Sequence, residues 1–252
     1  MKISINPGAP NGGSGTQYFI GDFDGKTFTT DQKENHWIDW GTDNYAGVTF
    51  SNVPNDEKIF IGWMSNWTYA RNTPTEKWRS AMTTPRKLSL KKIGATYELI
   101  IDGQQKREIE LEAGVSESIS FDNFNQSEVR FATAAKNFVL TLKNEKNEEL
   151  ILTLDGENDL FLLDRTHSGQ IDFQKDFASV SKMSVANLPE GEYEMRILMD
   201  LSSIEVFIDK GRYVMTAQLF PNQVYRTLKI ENTSRQPLLF RDFKLNRVVG
   251  IW

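Results

Sequence analysis

The sequence predicts an all-β protein, and three observations lead to this prediction. Short runs rich in Val, Ile, Phe, Tyr and Leu alternate apolar with polar residues, as in "KIFIGWM", "FVLTLKN" and "SIEVFID". Gly, Asn and Asp separate these runs at close, regular intervals, which is typical of turns between strands. No segment shows a sustained 3.6-residue period with helix caps. The spacing of the runs favours sandwich or propeller-like sheets.

The first 92 residues differ in composition from the rest of the chain. They contain five of the six tryptophans and most of the prolines, and runs such as "TQYFIGDF" and "YAGVTF" are separated by long aromatic loops of the kind that often bind ligands. From about residue 95, runs such as "TYELII", "REIELE" and "ELILTLD" alternate in plain hairpin style. We therefore predict one domain over residues 1–92 and a second, resembling a two-sheet sandwich, over residues 93–252.

Composition excludes several classes of function. The 29 basic and 34 acidic residues give a net charge of -5 without a basic cluster, so we expect no nucleic-acid partner. The lack of cysteine excludes disulfides, a thiolate nucleophile and Cys-ligated metals. The sequence contains no stretch of about 18 apolar residues, so no membrane span is predicted, and the first residues do not resemble a signal peptide.

Several polar motifs have ordinary explanations. His36 and His167 lie far apart in the sequence, each beside a turn-like segment, and we predict surface roles for both. The "DGEND" segment, Asp155 to Asp159, superficially resembles a calcium loop, but its Asp-Gly pair between two strand-like runs predicts a hairpin turn. Three sequons occur, at Asn66, Asn125 and Asn232, and they matter only in a eukaryotic secretory pathway. We predict no metal and no cofactor.

The segment "GWMSNWTYARNTPTEKWRSAMTTPRKLSL" is unusually aromatic. It places Trp63, Trp67 and Trp78 with Tyr69 between two Pro-containing loops. Flat rings that stack on the C–H faces of sugars are a common way to hold carbohydrate, whereas the same rings also fill propeller cores. Residue types alone leave both interpretations open, a packed core and a ligand platform.

Four long segments resemble glycoside hydrolase family 32, the levanases, inulinases and invertases. They occur in the family's order: "SINPGAPNGGSGTQYFIGDFDGKTF", "WIDWGTDNYAGVTF", "IGWMSNWTYARNTPTEKWRSAMTTPRKLSL" and "MRILMDLSSIEVFIDKGRYVMTAQLFP". The resemblance implies the last segments of a five-bladed β-propeller followed by a C-terminal β-sandwich. It also implies a retaining hydrolase of β-fructosyl linkages, with a fructan or a sucrose-type carbohydrate as partner.

The carboxyl groups that such an enzyme needs are not in this sequence. A retaining glycosidase uses two, about 5 to 5.5 Å apart. In the family the nucleophile lies in an Asn-Asp-Pro motif, a stabilising Asp in Arg-Asp-Pro and the acid/base in Glu-Cys. The sequence contains none of these, since Arg241-Asp242 is followed by Phe243 and cysteine is absent. We therefore predict no catalytic residue, an inactive chain on its own, and the missing N-terminal half of the propeller as partner.

The resemblance assigns four substrate-binding residues to the wall of the pocket. Trp67 resembles an aromatic residue that closes the fructosyl subsite, and Asp39, Asp43 and Tyr45 match a motif on the pocket side of a later blade. Turn-capping remains the alternative role for the two aspartates.

Four further residues are predicted to be structural. We expect Trp63 and Trp78 to pack in the core. Asp200 and Glu205 match a motif of the sandwich, where the family often has Arg in place of Leu201, and we expect them to face the domain interface or solvent.

Three functional hypotheses remain open from the sequence. The first is a fragment of a fructan-degrading glycosidase whose parent protein is secreted or periplasmic. The second is a carbohydrate-binding, lectin-like β-sandwich that works alone. The third is an accessory domain without a ligand that braces a propeller.

Overall fold

The computed structural model describes residues 1–93, 96–98 and 108–248, and over these residues it is built of β-strands. The described residues contain no α-helix, only two short 3-10 turns at Pro54–Asp56 and Phe124–Gln126. The predicted all-β class is confirmed. Over the same ranges, no helix has the length and apolar character needed to cross a membrane.

The N-terminal part, residues 1–93 and 96–98, contains four small antiparallel sheets in a propeller-like arrangement. They pair as β1-β2-β5, as β3-β4, as β6-β7-β8 with β9 also on β7, and as β10-β11. Their strands are β1 Lys2–Ile5, β2 Gly15–Tyr18, β3 Asp22–Phe23, β4 Phe28–Thr29, β5 His36–Trp37, β6 Tyr45–Thr49, β7 Lys58–Met64, β8 Ala81–Met82, β9 Arg86–Leu88, β10 Lys91–Ile93 and β11 Thr96–Glu98. The predicted strand "TYELII" is described only over Thr96–Glu98, and the remainder lies outside the described residues.

The C-terminal part, residues 108–248, contains two six-stranded antiparallel sheets. One has the order β12-β23-β14-β19-β20-β21 and the other the order β13-β22-β15-β16-β17-β18. Their strands are β12 Ile109–Leu111, β13 Ser116–Ser120, β14 Ser127–Thr133, β15 Asn137–Lys143, β16 Glu149–Asp155, β17 Leu160–His167, β18 Val180–Ser184, β19 Tyr193–Asp200, β20 Ser203–Ile208, β21 Tyr213–Gln218, β22 Thr227–Asn232 and β23 Leu238–Arg247.

Both large sheets contribute side chains to one hydrophobic core. Strand β16 shows the alternation that favours a strand here. Every second residue is a leucine that points inward, and Leu150, Leu152 and Leu154 are 0 to 2% exposed. The rings of Phe131 and Phe240 stack in the same core with centroids 4.0 Å apart. Burying each such side chain stabilises the fold by roughly 1.5 to 3 kcal/mol.

The N-terminal part adds backbone to the edge of one large sheet. Residues 39–43 lie along the edge strand β21, where the Trp40 amide donates to the Val214 carbonyl (2.7 Å) and the Asp43 amide donates to the Thr216 carbonyl (3.2 Å). Gly41 is required here, since a Cβ at this position would lie 2.0 Å from the Thr216 oxygen. An edge strand that would otherwise offer unpaired backbone groups is thereby covered.

The edge of the second large sheet is covered by one side chain. Asn11 donates from Nδ2 to the Lys182 carbonyl (2.9 Å) and accepts from the Lys182 amide at Oδ1 (2.8 Å). Its carboxamide thus takes the place of a paired strand at β18, the last strand of that sheet. The two parts of the chain therefore meet at both sheet edges, which fixes the position of the N-terminal loops.

Candidate functional site

Three aromatic side chains form a contiguous row in the N-terminal part, and we call Tyr45, Trp63 and Trp67 the aromatic wall. The centroids of the Trp63 and Trp67 rings lie 4.9 Å apart at an interplanar angle of 48°, and Tyr45 meets Trp63 edge-on at 6.2 Å. Trp67 exposes 48% of its surface, while the other two are half-buried. An exposed indole backed by two further rings has the amphipathic character of a sugar-stacking surface.

The exposed Trp67 lies on a turn between the buried residues Asn66 and Tyr69. Asn66 is 1% exposed and donates from Nδ2 to the carbonyls of Gly12 (3.2 Å) and Thr42 (2.9 Å). The Trp67 amide donates to Ser14 Oγ (3.1 Å), and the amides of Tyr69 and Ala70 both donate to the Asn66 carbonyl. The backbone of this turn is therefore fixed although the ring that it presents is open to solvent.

A bulge in β6 positions Tyr45. The pairing of β6 with β7 shifts register between Tyr45, opposite Trp63, and Val48, opposite Ile61. Ala46 has φ +50°, and a Cβ on Gly47 would lie 2.1 Å from the Phe60 ring. Bulges re-aim a neighbouring side chain, and this one places the Tyr45 ring against Trp63.

The first of two buried ion-pair clusters joins the N-terminal and C-terminal parts of the chain. Arg86 is 1% exposed; its Nη1 contacts Asp39 Oδ2 at 2.8 Å and its Nη2 contacts Glu205 Oε2 at 2.7 Å. Arg86 also donates to Thr216 Oγ1 at 2.8 Å, and Thr84 donates to Glu205 from its amide and its hydroxyl. One arginine of the N-terminal part thus neutralises a carboxylate on each side of the junction.

The second cluster reverses this arrangement, with the arginine in the C-terminal part. Arg165 on β17 contacts Asp43 Oδ2 from Nη1 at 2.9 Å, and its Nη2 donates to the Tyr69 hydroxyl at 2.9 Å. The Tyr69 hydroxyl in turn donates to Asp43 Oδ1 at 2.7 Å, and the Gln218 amide donates to Asp43 Oδ2 at 2.9 Å. Removing one partner of such a buried pair typically costs about 3 to 5 kcal/mol.

Burial and neighbouring groups shift the pKa values of the two arginines and of Tyr69. Burial alone lowers the pKa of Arg86 and of Arg165, but nearby groups outweigh it and raise both pKa values: Asp39 and Glu205 for Arg86, Tyr69 and Asp43 for Arg165. Burial raises the pKa of the Tyr69 hydroxyl far above its usual value, so it remains a hydrogen-bond donor. The clusters consist of charged arginines, their carboxylates and a neutral phenol.

The structure separates the four predicted substrate-binding residues into two pairs. Trp67 and Tyr45 lie together in the wall, with Trp63 between them. Asp39 and Asp43 are 2% and 0% exposed, and protein groups bind both oxygens of each carboxylate. Neither aspartate presents an oxygen to solvent here, and substrate binding by the four residues stays a prediction.

The other predictions have mixed outcomes. Core packing is wrong for Trp78, which exposes 42% of its surface, and Trp63 is only half-buried. Glu205 lies at the junction between the parts and Asp200 is exposed to solvent, and both positions agree with the expectation. Arg165 was not predicted, although an arginine at an inward-facing position of "LFLLDRTH" is a signal for a buried acidic partner.

The polar motifs behave as structural features. Asp155 accepts the Asn158 amide in the turn between β16 and β17, so the predicted hairpin turn is confirmed. His36 packs edge-on against Tyr18, and His167 is exposed. The three sequon asparagines are 0 to 3% exposed and therefore closed to a glycan in the folded chain. No group of three or more His, Asp or Glu side chains in the described ranges is placed to hold a metal.

Comparison with known proteins gives consistent matches along the chain. The family model described as glycosyl hydrolases family 32 N-terminal domain matches residues 1–101, and that described as glycosyl hydrolases family 32 C terminal matches residues 71–246. An extracellular exo-inulinase of Aspergillus awamori is 36% identical over 248 residues, covering 88% of this chain and 46% of the relative. The levanase of Bacillus subtilis (strain 168) is 32% identical over 252 residues, covering 91% of this chain and 37% of the relative.

Solved structures show the same likeness. The crystal structure of exo-inulinase from Aspergillus awamori superposes with a TM-score of 0.85 at 31% identity, covering 100% of this chain and 53% of that one. Fructan 1-exohydrolase IIa from Cichorium intybus, at 12% identity and a TM-score of 0.69, shares the fold. The chain spans about half the length of these solved proteins and less than half of the two curated relatives.

Proposed function

Because the chain belongs to glycosyl hydrolase family 32, we propose that it is the C-terminal fragment of a retaining β-fructosidase that hydrolyses levan, inulin or sucrose. In this proposal, the residues 1–92 form the last segments of a five-bladed propeller and the residues 93–252 form a β-sandwich. The shared core of the two large sheets supports the second assignment. The relatives, which are about twice as long, support the first.

The aromatic wall is the observation on which the functional proposal rests. A half-exposed indole on a turn whose backbone is held by hydrogen bonds can stack on a fructosyl ring with little loss of backbone entropy. We assign Trp67 and Tyr45 to this surface. Asp43 supports the turn of Trp67 through its contact with the Tyr69 hydroxyl, while the Asp39 carboxylate is bound by Arg86.

The chain provides binding surface and not the reacting groups. Three buried carboxylates, those of Asp39, Asp43 and Glu205, are each bound by an arginine and by further protein groups, so none is free to attack a substrate. The nucleophile, the stabilising Asp and the acid/base Glu therefore have to come from the N-terminal half of the propeller. The chain alone is inactive in this proposal.

Restoring the missing half tests the proposal. We would co-express the chain with the upstream half of the Aspergillus awamori exo-inulinase and compare wild type, Trp67→Ala and Trp78→Ala. Trp78 is a matched control, because it is similarly exposed and lies outside the wall. We expect Trp67→Ala to lower kcat/KM roughly ten- to a hundredfold, equivalent to about 1 to 3 kcal/mol of stacking, and Trp78→Ala to leave it within about twofold. Equal kcat/KM values for the two variants would contradict the role of Trp67.

A carbohydrate-binding module that works alone is the other hypothesis, and the same proteins address it. Binding of a fructan by the isolated chain, lost in Trp67→Ala, fits a wall that belongs to a larger pocket. Tight binding that persists in Trp67→Ala would favour an independent binding module on the large sheets.

A further inference from the structure

The Tyr69 hydroxyl is a polar link between the turn that presents Trp67 and the C-terminal part, beside the packing of the Tyr69 ring on Phe177 and the contact of Ser65 Oγ with Gln218 Oε1 at 3.3 Å. Tyr69, two residues after Trp67, is 2% exposed, and its Oη lies 2.9 Å from Arg165 Nη2 and 2.7 Å from Asp43 Oδ1. Its amide donates to the Asn66 carbonyl at 3.1 Å, so the residue before Trp67 and the residue two after it are joined in one hydrogen-bonded turn. A displacement of Tyr69 therefore moves the backbone on both sides of Trp67.

Arg165 is itself held rigidly. Its Nε donates to the Phe177 carbonyl (2.8 Å), and its Nη1 donates to the Gln218 carbonyl (3.1 Å) as well as to Asp43. The guanidinium carbon lies 3.9 Å from the centroid of the Phe177 ring and 5.2 Å from that of the Tyr69 ring. Hydrogen bonds in several directions and the contact with the Phe177 ring restrict the Arg165 side chain to one conformation. Arg165 can therefore act as a fixed anchor for the turn.

We infer that Arg165 is a positioning residue for Trp67: through the Tyr69 hydroxyl, the C-terminal part sets where the ring of the aromatic wall lies. The inference rests on the proposed function, because a positioned ring matters only where a sugar stacks on it. The half-exposed Trp67 ring contacts Trp63 and lies 5.9 Å from the Arg71 guanidinium carbon, so the turn that carries the ring has a large share in its orientation. The C-terminal part then contributes to the pocket without touching the sugar.

Tyr69→Phe is the variant that isolates this link. It removes the hydroxyl but keeps the ring, which packs edge-on against Phe177 at 5.1 Å, and it leaves the 2.9 Å contact between Arg165 and Asp43 in place. The protein should therefore still fold. Tyr193→Phe is the matched control, since the buried Tyr193 hydroxyl donates to the Ala135 carbonyl in the C-terminal part, away from the wall.

The readout is fluorine NMR of the intact chain labelled with 5-fluorotryptophan. The Trp67 signal is the one missing from Trp67→Phe. We expect Tyr69→Phe to shift the Trp67 signal by more than its linewidth and to broaden it, and Tyr193→Phe to leave it in place. If the Tyr69 hydroxyl had a purely structural role, Tyr69→Phe and Tyr193→Phe would both have a lower unfolding midpoint and the Trp67 signal would not move. That result would overturn the inference.

This measurement also separates the inference from the proposed function. It needs no sugar and no second half, so an unmoved Trp67 signal overturns the positioning role whatever the enzyme does. In the restored enzyme, Tyr69→Phe should raise KM with little change in kcat. If Trp67→Ala leaves hydrolysis intact while Tyr69→Phe still moves the Trp67 signal, the proposed function fails and the positioning link remains.

Discussion

Replacing Gly41 with alanine tests how the two parts of the chain are joined. A Cβ at this position would lie 2.0, 2.3 and 2.6 Å from the O, N and C atoms of Thr216. All three are backbone atoms of β21, so no side chain can rotate away to relieve the overlap. Ordinary van der Waals contact then requires residues 39–43 to move from β21 by roughly 1 to 1.5 Å.

The expected loss of stability follows from the bonds that this movement stretches. Two are backbone bonds, from Trp40 to Val214 and from Asp43 to Thr216, each contributing about 0.5 to 1.5 kcal/mol. Two more join β21 amides to the Asp39 and Asp43 carboxylates at 2.9 Å, each contributing about 1.5 to 3 kcal/mol. Partial loss of all four predicts a fall of about 3 to 5 kcal/mol in the free energy of unfolding.

Urea unfolding, followed by tryptophan fluorescence and circular dichroism, measures this fall. Gly191→Ala is the control, since a Cβ there meets nothing within 4 Å, and we expect its stability to change by less than about 0.5 kcal/mol. A Gly41→Ala protein as stable as the control would show that residues 39–43 do not lie along β21 in this register.

Three further predictions concern activity, the domain boundary and the dependence of stability on pH. The purified chain should release no fructose from levan, inulin or sucrose above background, and turnover that survives stringent purification would contradict the fragment hypothesis. Residues 93–252 should fold alone as an all-β unit by circular dichroism, and a disordered product would contradict the predicted boundary. Burial raises the pKa values of Tyr69, Tyr193 and Tyr225 above 10.0, so the folded state keeps these protons longer than the unfolded chain. The stability that they contribute should therefore be intact below about pH 10 and fall above it by about 1.4 kcal/mol per pH unit for each tyrosine. Urea midpoints that stay constant between about pH 9 and 11 would contradict this.

The strands were predictable because their signal is local. In β16, alternation alone identifies Leu150, Leu152 and Leu154 as inward residues, and burial of 0 to 2% confirms it. The aromatic wall was partly predictable, since Trp63 on β7 and Trp67 on the turn that follows it are only four positions apart. The exposure of Trp78 was not predictable in this way, because it depends on the conformation of a loop, which leaves no periodic pattern in the sequence.

The partners of the buried charges were not predictable from local pattern. The Thr216 amide lies 177 residues from the Asp39 carboxylate that it contacts, and Arg165 lies 122 residues from Asp43. Short acidic residues beside aromatic ones fit a sugar-binding motif and a buried ion pair equally well. The two interpretations are distinguished only by the approach of β21 and β17 to residues 39–43.

The position of Asp43 also determines how mutations there should be interpreted. Asp43 contacts both Arg165 and Tyr69, and Tyr69 belongs to the turn that presents Trp67. Loss of hydrolysis in Asp43→Ala would therefore follow from a displaced ring as readily as from a lost contact with sugar. The two causes differ in the unbound chain, because only a displaced ring alters the environment of Trp67 before any sugar is added.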